Sequence, residues 1–348
     1  MGIMMNIATH AAFDRVPGYL NTASVGFPPR AAVAALHEAA SWWGSATCNP
    51  AAMDPVVERA RAAYAAIVGA RPRDVAIAGS VSQVVGMVAA SLPDGARVLA
   101  VEDDFASVLF PFLADPRLTV ELVPFDRLID SIRPGVDLVA TSAVRSNDGA
   151  LVDQEALATA AGAVGARTLL DATHSAGWLP TNATRFDVVV AAGYKWLLTP
   201  RGIAFAAIRP DSSWLRPVFA SWYGTDDPWA SLYGGPLRLS ADARRFDTSP
   251  PWQIMEAAAV SLETLAACDV HEVNAHSVSL ANAFREDLAL APSDSAIVSI
   301  PGDAAALASV GVTASARDGR ARLSFYLYND EDDVLAAARA LGAKVLVA

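Results

Sequence analysis

The sequence predicts an α/β protein built on a mainly parallel β-sheet and followed by a smaller α+β domain. Three observations carry this prediction. Short apolar runs alternate with alanine-rich helical stretches up to about residue 236, a pattern typical of βαβ units. Beyond that point the alternation gives way to longer helical stretches and a hairpin. Apolar residues make up 53% of the 348 residues and charged residues only 18%, which is enough to fill a sizeable core.

Five apolar runs are predicted as parallel strands. They are residues 75–78, 97–101, 136–140, 168–170 and 187–190. Residues 202–208 form a sixth apolar run that follows the fifth too closely for a helical crossover. This strand is therefore expected to run antiparallel. Asp318-Gly319 lies between two alternating stretches and predicts a tight hairpin.

The change of pattern near residue 240 divides the chain. We predict an N-terminal segment (residues 1–18), a large α/β domain (residues 19–240) and a small α+β domain (residues 241–348). The small domain is expected to begin with two helices and a strand, at residues 251–268, about 270–290 and 296–300. A last helix is expected to begin at an Asn329 cap.

The charge balance argues against a nucleic-acid partner. The chain holds 26 basic and 37 acidic side chains, a net charge of −11, and no stretch concentrates the cations that phosphate binding requires. No apolar run reaches the roughly 18 residues needed to span a bilayer. Residues 1–6 lack the basic and apolar regions of a secretory signal. We therefore expect a cytoplasmic protein with no membrane partner.

Metal chemistry is not indicated either. Cys48 and Cys268 lie far apart in the sequence and form no CxxC spacing, and the five histidines include no HExxH arrangement. Neither a disulfide framework nor a metal site is expected.

The chemistry is expected at the carboxyl ends of the strands, where open parallel sheets bind ligands. The first predicted strand ends in Gly79-Ser80-Val81-Ser82-Gln83, a small-residue loop that opens a helix. Free backbone N–H groups and the serine hydroxyls suit a phosphate, although Ser80 is equally explained as a plain helix cap. After the second strand, Phe105 is placed either to cover a planar ligand or to pack in the core.

Two later strands end in ionisable residues. Asp171, followed by His174, stands at the mouth of a buried strand, where a carboxylate requires a cation or several donors. A protonated pyridine nitrogen is one such partner, and capping of the next helix is the alternative. Lys195 lies between Tyr194 and Trp196 directly after an apolar strand. Burial would lower the pKa of its amine and favour the neutral nucleophile that Schiff-base chemistry needs.

Together these residues resemble the fold-type I pyridoxal-phosphate (PLP) enzymes of the class V aminotransferase and cysteine desulfurase group, which includes C–S lyases, kynureninase and isopenicillin N epimerase. The resemblance covers nearly the whole chain. The matching segments are Tyr19 to Gly26, Gly79 to Gln83, Asp171 to His174, Gly193 to Trp196, Arg320 to Ser324, and Tyr328-Asn329. The resemblance implies a seven-stranded, mainly parallel sheet between helices, a smaller C-terminal domain, and PLP as the cofactor.

The resemblance also implies roles for individual residues. Lys195 would carry PLP as a Schiff base and shuttle the Cα proton, Asp171 would pair with the pyridinium nitrogen, and His174 would lie near the phenolic oxygen. Phe105 would stack on the ring. The remaining cofactor-binding residues would be Ser80, Val81, Ser82 and Tyr194, with Thr248 or Ser249 reaching the phosphate of a second subunit. A homodimer with shared active sites is therefore implied.

The same resemblance implies an amino-acid substrate. Arg322 matches the arginine that clamps the substrate α-carboxylate, and Asn21 and Arg145 are further candidates for substrate binding. Arg145 stands where desulfurases have Asn, so it either contacts a bound group or pairs with Asp148. Neither cysteine falls on an evident mobile loop, which argues against a persulfide-forming desulfurase. The aromatic stretch 221–235 is expected at the substrate entrance or in plain packing.

The expected reaction proceeds through an external aldimine and a quinonoid. We expect β-elimination from a cysteine-derived substrate, as in a C–S lyase. The alternatives are an aminotransferase, an epimerase or a decarboxylating enzyme. A non-catalytic nucleotide-binding protein is opposed by the lack of a GxGxxG or Walker pattern in the right context.

Overall fold

A seven-stranded sheet forms the centre of the computed structural model, which describes residues 11–302 and 304–342. Its strands are β1 (Val75–Ala78), β2 (Arg97–Val101), β3 (Thr119–Val123), β4 (Leu138–Ser142), β5 (Arg167–Asp171), β6 (Val188–Ala192) and β7 (Ala204–Ile208). Their spatial order is β1-β7-β6-β5-β4-β2-β3. Only β7 runs antiparallel to its neighbours, β6 and β1. The mainly parallel sheet and the antiparallel sixth run are confirmed.

The sheet is buried on both faces, and alternate residues of each strand enter different layers. Ile77, Val189 and Phe205 belong to the hydrophobic cluster on one face. Ala76 and Val188 belong to the cluster on the other. This is the side-chain alternation of a β-strand. It explains why the central strands have continuous apolar runs, since helices cover both faces.

Nine α-helices surround the two sheets within the described residues. They are α1 (Arg30–Gly44), α2 (Asp54–Val68), α3 (Val81–Ser91), α4 (Ala106–Leu113), α5 (Gln154–Val164), α6 (Trp252–Ala266), α7 (Val270–Asp287), α8 (Ala304–Ala308) and α9 (Glu331–Ala340). Helix α6 packs against both α1 and α2. None of the helices in the described ranges is long and apolar enough to cross a membrane.

A second, three-stranded antiparallel sheet lies near the end of the chain. It contains β8 (Ile297–Pro301), β9 (Ser315–Arg317) and β10 (Arg320–Ser324), in the order β8-β10-β9. Asp318 and Gly319 both have positive φ, 49° and 71°, which is the geometry of the predicted tight turn. The last helix is capped by Asp330 and not by Asn329, because Asp330 and Asp333 form a reciprocal capping box.

Residues 19–21 pair with this second sheet. The N–H of Leu20 donates to the carbonyl of Thr313 at 3.0 Å, and the N–H of Ser324 donates to the carbonyl of Leu20 at 2.9 Å. The start of the described chain is thereby held beside β10. The predicted N-terminal segment, residues 1–18, lies partly outside the described residues. The division of the chain at residues 18 and 240 stays a prediction.

Candidate active site

A cavity of about 360 Å³ opens at the carboxyl ends of β1, β2, β5 and β6. The loops that follow these strands line it, as expected for an open parallel sheet. Ser80 and Ser82, Phe105, Asp171 and Lys195 all contribute to its wall. A larger groove of about 520 Å³ lies elsewhere, beside Glu155 and Arg185, but its lining has no buried ionisable side chain. The chemistry therefore belongs to the smaller cavity.

Lys195 is buried in this cavity, with only 5% of its surface exposed. Its Nζ lies 2.8 Å from Nε2 of His174 and 5.0 Å from the centroid of the Phe105 ring. No carboxylate lies within ion-pair distance of Nζ in the described part of the chain. Burial lowers the pKa of the Lys195 amine to about 7, against the partial compensation of the Asp171 charge. A neutral, nucleophilic amine is thus available near neutral pH.

Asp171 ends β5 with its carboxylate facing the cavity. Its Oδ1 accepts a hydrogen bond from the N–H of Thr173 at 2.8 Å, which fixes the carboxylate. Burial raises the pKa of Asp171 to about 6, so the group is ionised at neutral pH. His174 follows on the same loop, and burial holds its pKa well below the usual value, so its imidazole is neutral. The buried Nδ1 of His174 has no hydrogen-bond partner among the described residues.

The loop after β1 supplies unused hydrogen-bond donors. Ser80 is the N-cap of α3, since its Oγ accepts from the N–H of Gln83 at 3.3 Å. The hydroxyls of Ser80 and Ser82 lie 3.2 Å apart, and both residues are exposed to the cavity. Val81 and Ser82 begin the helix, where backbone N–H groups lack intrahelical partners. The helix cap and the phosphate site are therefore compatible uses of one loop.

Phe105 also lines the cavity. It is 41% exposed and forms the N-cap position of α4, so it is not a core residue. Its backbone is held by the neighbouring Asp104, whose Oδ1 accepts from the N–H of Phe105 at 2.7 Å. The other carboxylate oxygen, Oδ2, accepts from the N–H of Ser142 in β4 at 2.7 Å. A planar ring bound beside Lys195 would lie next to the Phe105 face.

These residues fit PLP. The free donors at the start of α3 suit its phosphate, the ionised Asp171 suits its ring nitrogen, and the unpartnered Nδ1 of His174 is available to a polar ring substituent. The side chain of Lys195 lines the same cavity. Tyr194 borders the same cavity and stacks with Arg201, whose guanidinium carbon lies 4.5 Å from the ring centroid.

Arg322 projects from β10 toward this region and is 1% exposed. It donates to the hydroxyls of Ser24 at 2.9 Å and Ser315 at 3.2 Å, and also to the backbone carbonyl of Ser146. All these acceptors are neutral. Its positive charge contributes to lowering the pKa values of Lys195 and His174. A buried guanidinium with neutral partners only is suited to bind an anion.

The other predicted site residues lie around this centre. Asn21 pairs with β10 through its backbone, and its buried Oδ1 has no partner in the described ranges. Arg145 is held by Asp103 and lies 3.5 Å from Asp148, as in the ion-pair alternative. Neither Arg145 nor Arg322 lines the cavity itself. Their substrate-binding roles stay predictions.

Thr248 and Ser249 follow a buried ion pair, away from the cavity lining of their own chain. Asp247 accepts from the Arg61 guanidinium at 2.7 Å, and both side chains are almost completely buried. The N–H of Thr248 then donates to the carbonyl of Ile77 at 3.1 Å, while Ser249 is exposed. The Arg61–Asp247 ion pair therefore fixes the backbone directly before Thr248 and Ser249. Their contact with a second subunit stays a prediction.

Four residues of this region have no role that the sequence predicts: Ser24, Ser146, Arg201 and Arg317. Ser24 and Ser146 hold Arg322, and Arg317 donates toward the same Ser24 hydroxyl at 3.5 Å. Arg201 lies close to Lys195 on the loop between β6 and β7 (residues 193–203, the lysine loop), so its position in the sequence is a signal that could have identified it. The others come together only through contacts between distant parts of the chain.

The backbone at Gly26 lies directly against the lysine loop, because glycine has no Cβ. Its N–H donates to the carbonyl of Tyr194 at 2.8 Å, and a Cβ at this position would lie 1.9 Å from the backbone oxygen of Lys195. We expect Gly26→Ala to lower the free energy of unfolding by roughly 1–3 kcal/mol, the usual cost of overpacking. It should also weaken cofactor retention, because the lysine loop must shift.

Urea unfolding and the cofactor content after dialysis measure both effects. Gly86→Ala is the matched control, because a Cβ there meets nothing within 4 Å and the residue lies inside α3. That variant should be as stable as the parent or slightly more stable. A Gly26→Ala protein with unchanged stability and cofactor content would contradict the close approach.

The family model of class V aminotransferases matches residues 52–293, well over half of the chain. The chain belongs to the class V aminotransferase family. It is therefore a PLP-dependent enzyme. The assignment of the cavity residues to the cofactor stays a prediction.

Among the curated class V relatives, the protein described as uncharacterized aminotransferase YcbU of Bacillus subtilis (strain 168) is 30% identical over 235 residues, 63% of this chain and 61% of that protein. The kynureninase of Deinococcus radiodurans is 29% identical over 303 residues, 79% of this chain and 72% of that protein. The isopenicillin N epimerase of Streptomyces clavuligerus is 28% identical over 183 residues, 47% of this chain and 46% of that protein. The match therefore spans less than two thirds of the length of the first and third of these.

Solved structures give the same fold. The cysteine desulfurase CsdA of Escherichia coli superposes with a TM-score of 0.82 at 18% identity, covering 96% of this chain and 97% of that chain. The cystine C–S lyase C-DES superposes with a TM-score of 0.82 at 18% identity, covering 93% of this chain and 97% of that chain. The predicted fold, a fold-type I PLP enzyme with a large sheet and a second small sheet, is confirmed.

The shifted pKa of Lys195 predicts how fast the cofactor-free protein captures PLP. Only the neutral amine attacks the aldehyde, so the capture rate should rise about tenfold per pH unit up to about pH 7 and then level off. Stopped-flow absorbance after mixing apoprotein with PLP measures this rate. An ordinary lysine would give a rate that keeps rising to about pH 10, and such a profile would contradict the burial of the amine.

Proposed function

We propose that this class V enzyme is a C–S lyase that cleaves a cysteine-derived amino acid by β-elimination. The Cα proton is removed, the Cβ–S bond breaks, and the bond's electron pair leaves with sulfur, which takes a proton to become a thiol. One water molecule converts the three-carbon product into pyruvate and ammonium. The balance is one S-substituted cysteine plus one water giving one thiol, one pyruvate and one ammonium ion, with no oxidant or reductant.

The observation that carries the proposal is the position of the two cysteines. Cys48 follows α1, and Cys268 follows α6, where its Sγ contacts the carbonyl of Thr264 at 3.3 Å. Neither lines the cavity around Lys195. A desulfurase needs a protein thiol to receive sulfur at the site. Because neither cysteine lines this cavity, we expect the sulfur atom to leave with its substituent as a thiol, which is the product of β-elimination.

The side chains at the site support each proton step. Bound PLP supplies the electron sink that makes the Cα proton of an amino acid acidic. Asp171, ionised above about pH 6, holds a proton at the ring nitrogen. The Nζ of Lys195, with its pKa near 7, accepts the Cα proton and can return it. His174 at 2.8 Å keeps that amine in place.

Two further side chains orient the substrate and exclude water. Arg322 offers a bidentate guanidinium to the α-carboxylate, because its present partners are neutral oxygens that an anion can outcompete. Phe105 closes the cavity over the ring position, 5.0 Å from Nζ of Lys195. Holding the carboxylate at one end and the amine at the other aligns the Cα–H bond with the base.

Aminotransferase activity is the second candidate, because the family model and the YcbU relative both carry that description. The test is to mix the purified enzyme with an S-substituted cysteine and no keto acid. A lyase produces pyruvate over many turnovers, and the visible absorbance of its bound PLP returns to the starting value when the substrate is used up. An aminotransferase converts its cofactor once to the amine form and stops. Pyruvate that never exceeds one equivalent would refute the lyase proposal, and recovery of racemised substrate would point to an epimerase.

We also propose a homodimer in which Thr248 and Ser249 reach the partner's phosphate site. The exposure of Ser249 and the anchoring of Asp247 support it. Sedimentation velocity measures the mass, and Ser249→Ala should weaken PLP binding only if the dimer forms. A monomer with full activity would refute this part. The cytoplasmic location stays a prediction.

A further inference from the structure

Four cationic side chains surround the site although the whole chain has a net charge of −11. They are Lys195, Arg201, Arg317 and Arg322, and the charges of the three arginines all act on Lys195. No carboxylate forms an ion pair with any of the four within the described residues. Many arginines elsewhere are paired with a carboxylate, as Arg59 is with Glu263 and Arg61 with Asp247, whereas others such as Arg320 contact only neutral groups. The unneutralised set marks a place for anions.

Three of these cations have an assigned or evident use. Lys195 carries the cofactor, and Arg322 takes the α-carboxylate in the proposed function. Arg201 stacks on Tyr194 in the wall that also holds Ser80 and Ser82, the phosphate end of the cavity. Arg317 has no partner of opposite charge in the part of the chain that the structure describes. Its hydrogen bonds go to the carbonyl of Ala316 at 2.6 Å and the Ser24 hydroxyl at 3.5 Å.

Arg317 and Arg322 meet at one neutral atom. The Oγ of Ser24 accepts from Nη2 of Arg322 at 2.9 Å and from Nη2 of Arg317 at 3.5 Å. The two guanidinium groups are thus neighbours with a single hydroxyl oxygen between them. Their repulsion contributes to lowering the pKa of Arg322 to about 9, after burial. A hydroxyl relieves little of this repulsion, whereas an anion at the same place would relieve most of it.

The neighbouring Arg320 does not share the orientation of Arg317 toward Ser24. It is the cross-strand partner of Arg317 in the β9–β10 hairpin. Its guanidinium turns to β8 instead, where it donates to the carbonyl of Ser299 at 2.8 Å and to its hydroxyl at 3.0 Å. The two neighbouring arginines therefore differ in direction, and Arg320 serves as the internal control.

We propose that Arg317 is a specificity-determining residue that binds a second anionic group of the substrate, beside the α-carboxylate held by Arg322. The substrate class is a short amino acid with two anionic ends. This inference deepens the proposed function: for a C–S lyase, the second anion lies on the sulfur side, as in S-carboxymethylcysteine. The neutral amide S-carbamidomethylcysteine has nearly the same shape and is the poorer substrate.

Binding of unreactive acids tests the inference without turnover. The holoenzyme is titrated calorimetrically with succinate, glutarate and adipate, and with the monocarboxylates of equal carbon number, butyrate, pentanoate and hexanoate. At least one dicarboxylate should bind about tenfold or more tightly than its partner, the scale of one charge-assisted hydrogen-bond pair. Arg317→Gln should abolish that preference, Arg317→Lys should keep part of it, and Arg320→Gln should keep all of it.

The outcomes separate this inference from the lyase proposal. Arg322→Gln should weaken both kinds of acid, because both use the α-carboxylate position. A wild-type enzyme without dicarboxylate preference, or an Arg317→Gln variant that retains it, overturns the role of Arg317. Absence of pyruvate from both S-carboxymethylcysteine and S-carbamidomethylcysteine would refute the lyase alone, since the binding preference does not require turnover.

Discussion

Lys195→Ala is expected to abolish the covalent attachment of PLP and to reduce turnover by about 10³-fold or more, because one side chain acts both as nucleophile and as base. The fold should survive, since the change removes an amine whose burial is unfavourable. The measurement is borohydride reduction followed by peptide mass spectrometry. The cofactor mass should appear on the peptide that contains residue 195 in the parent protein and nowhere in the variant.

The small number of lysines makes the labelling result easy to interpret. Its sequence contains only two lysines, Lys195 and Lys344, so one other ε-amine competes for the reagent. Lys344→Ala is therefore the matched control, and it should keep both the label and the activity. A Lys195→Ala protein that still carries reduced cofactor would show that a different amine forms the bond.

Asp171→Asn is expected to reduce turnover by about 100-fold or more while leaving the cofactor covalently bound. The amide has the shape of the carboxylate and can still accept the Thr173 N–H, but it cannot stabilise a proton on the ring nitrogen. Losing the negative charge also removes the main influence that raises the pKa of Lys195. The pH profile of PLP capture should therefore move to lower pH.

Asp187→Asn controls for the loss of a buried carboxylate. Asp187 is as buried as Asp171, at 4% exposed, but it precedes β6 and so lies at the opposite edge of the sheet. It accepts from the Thr168 N–H at 2.8 Å and pairs with Arg209 at 2.8 Å. Its variant should lose stability but keep the turnover of the folded fraction. Equal losses of turnover in the two variants would mean that Asp171 acts only through structure.

The sequence predicts the centre of the fold well because the central strands are buried on both faces. Their apolar runs end abruptly in Asp171 and in the Lys195 loop, so the polar residues that follow are conspicuous. Strand β3 was missed because it is an edge strand with half-exposed residues and no continuous apolar run. Strands β4 and β5 extend one or two residues further than predicted, into polar residues at the edge that carries the site.

The arginine cluster could not be predicted in the same way. Arg322 is recognisable from its family motif, but Ser24 and Ser146 contact it across 298 and 176 residues of sequence. Such contacts depend on how the second sheet docks beside the first, which no local pattern encodes. Arg317 and Arg320 flank the same Asp318-Gly319 turn, and only the side-chain directions show which of them reaches Ser24.

The pairing of Leu20 with residues 313 and 324 also has a consequence for how the site is made. During synthesis the segment around Leu20 emerges early, yet its backbone partners emerge roughly 300 residues later. Contacts of such long sequence separation form slowly, because a large loop must close first. The large sheet and its lysine loop can therefore fold before Arg317 and Arg322 reach their positions beside Ser24. In refolding experiments, PLP capture should precede the appearance of carboxylate binding.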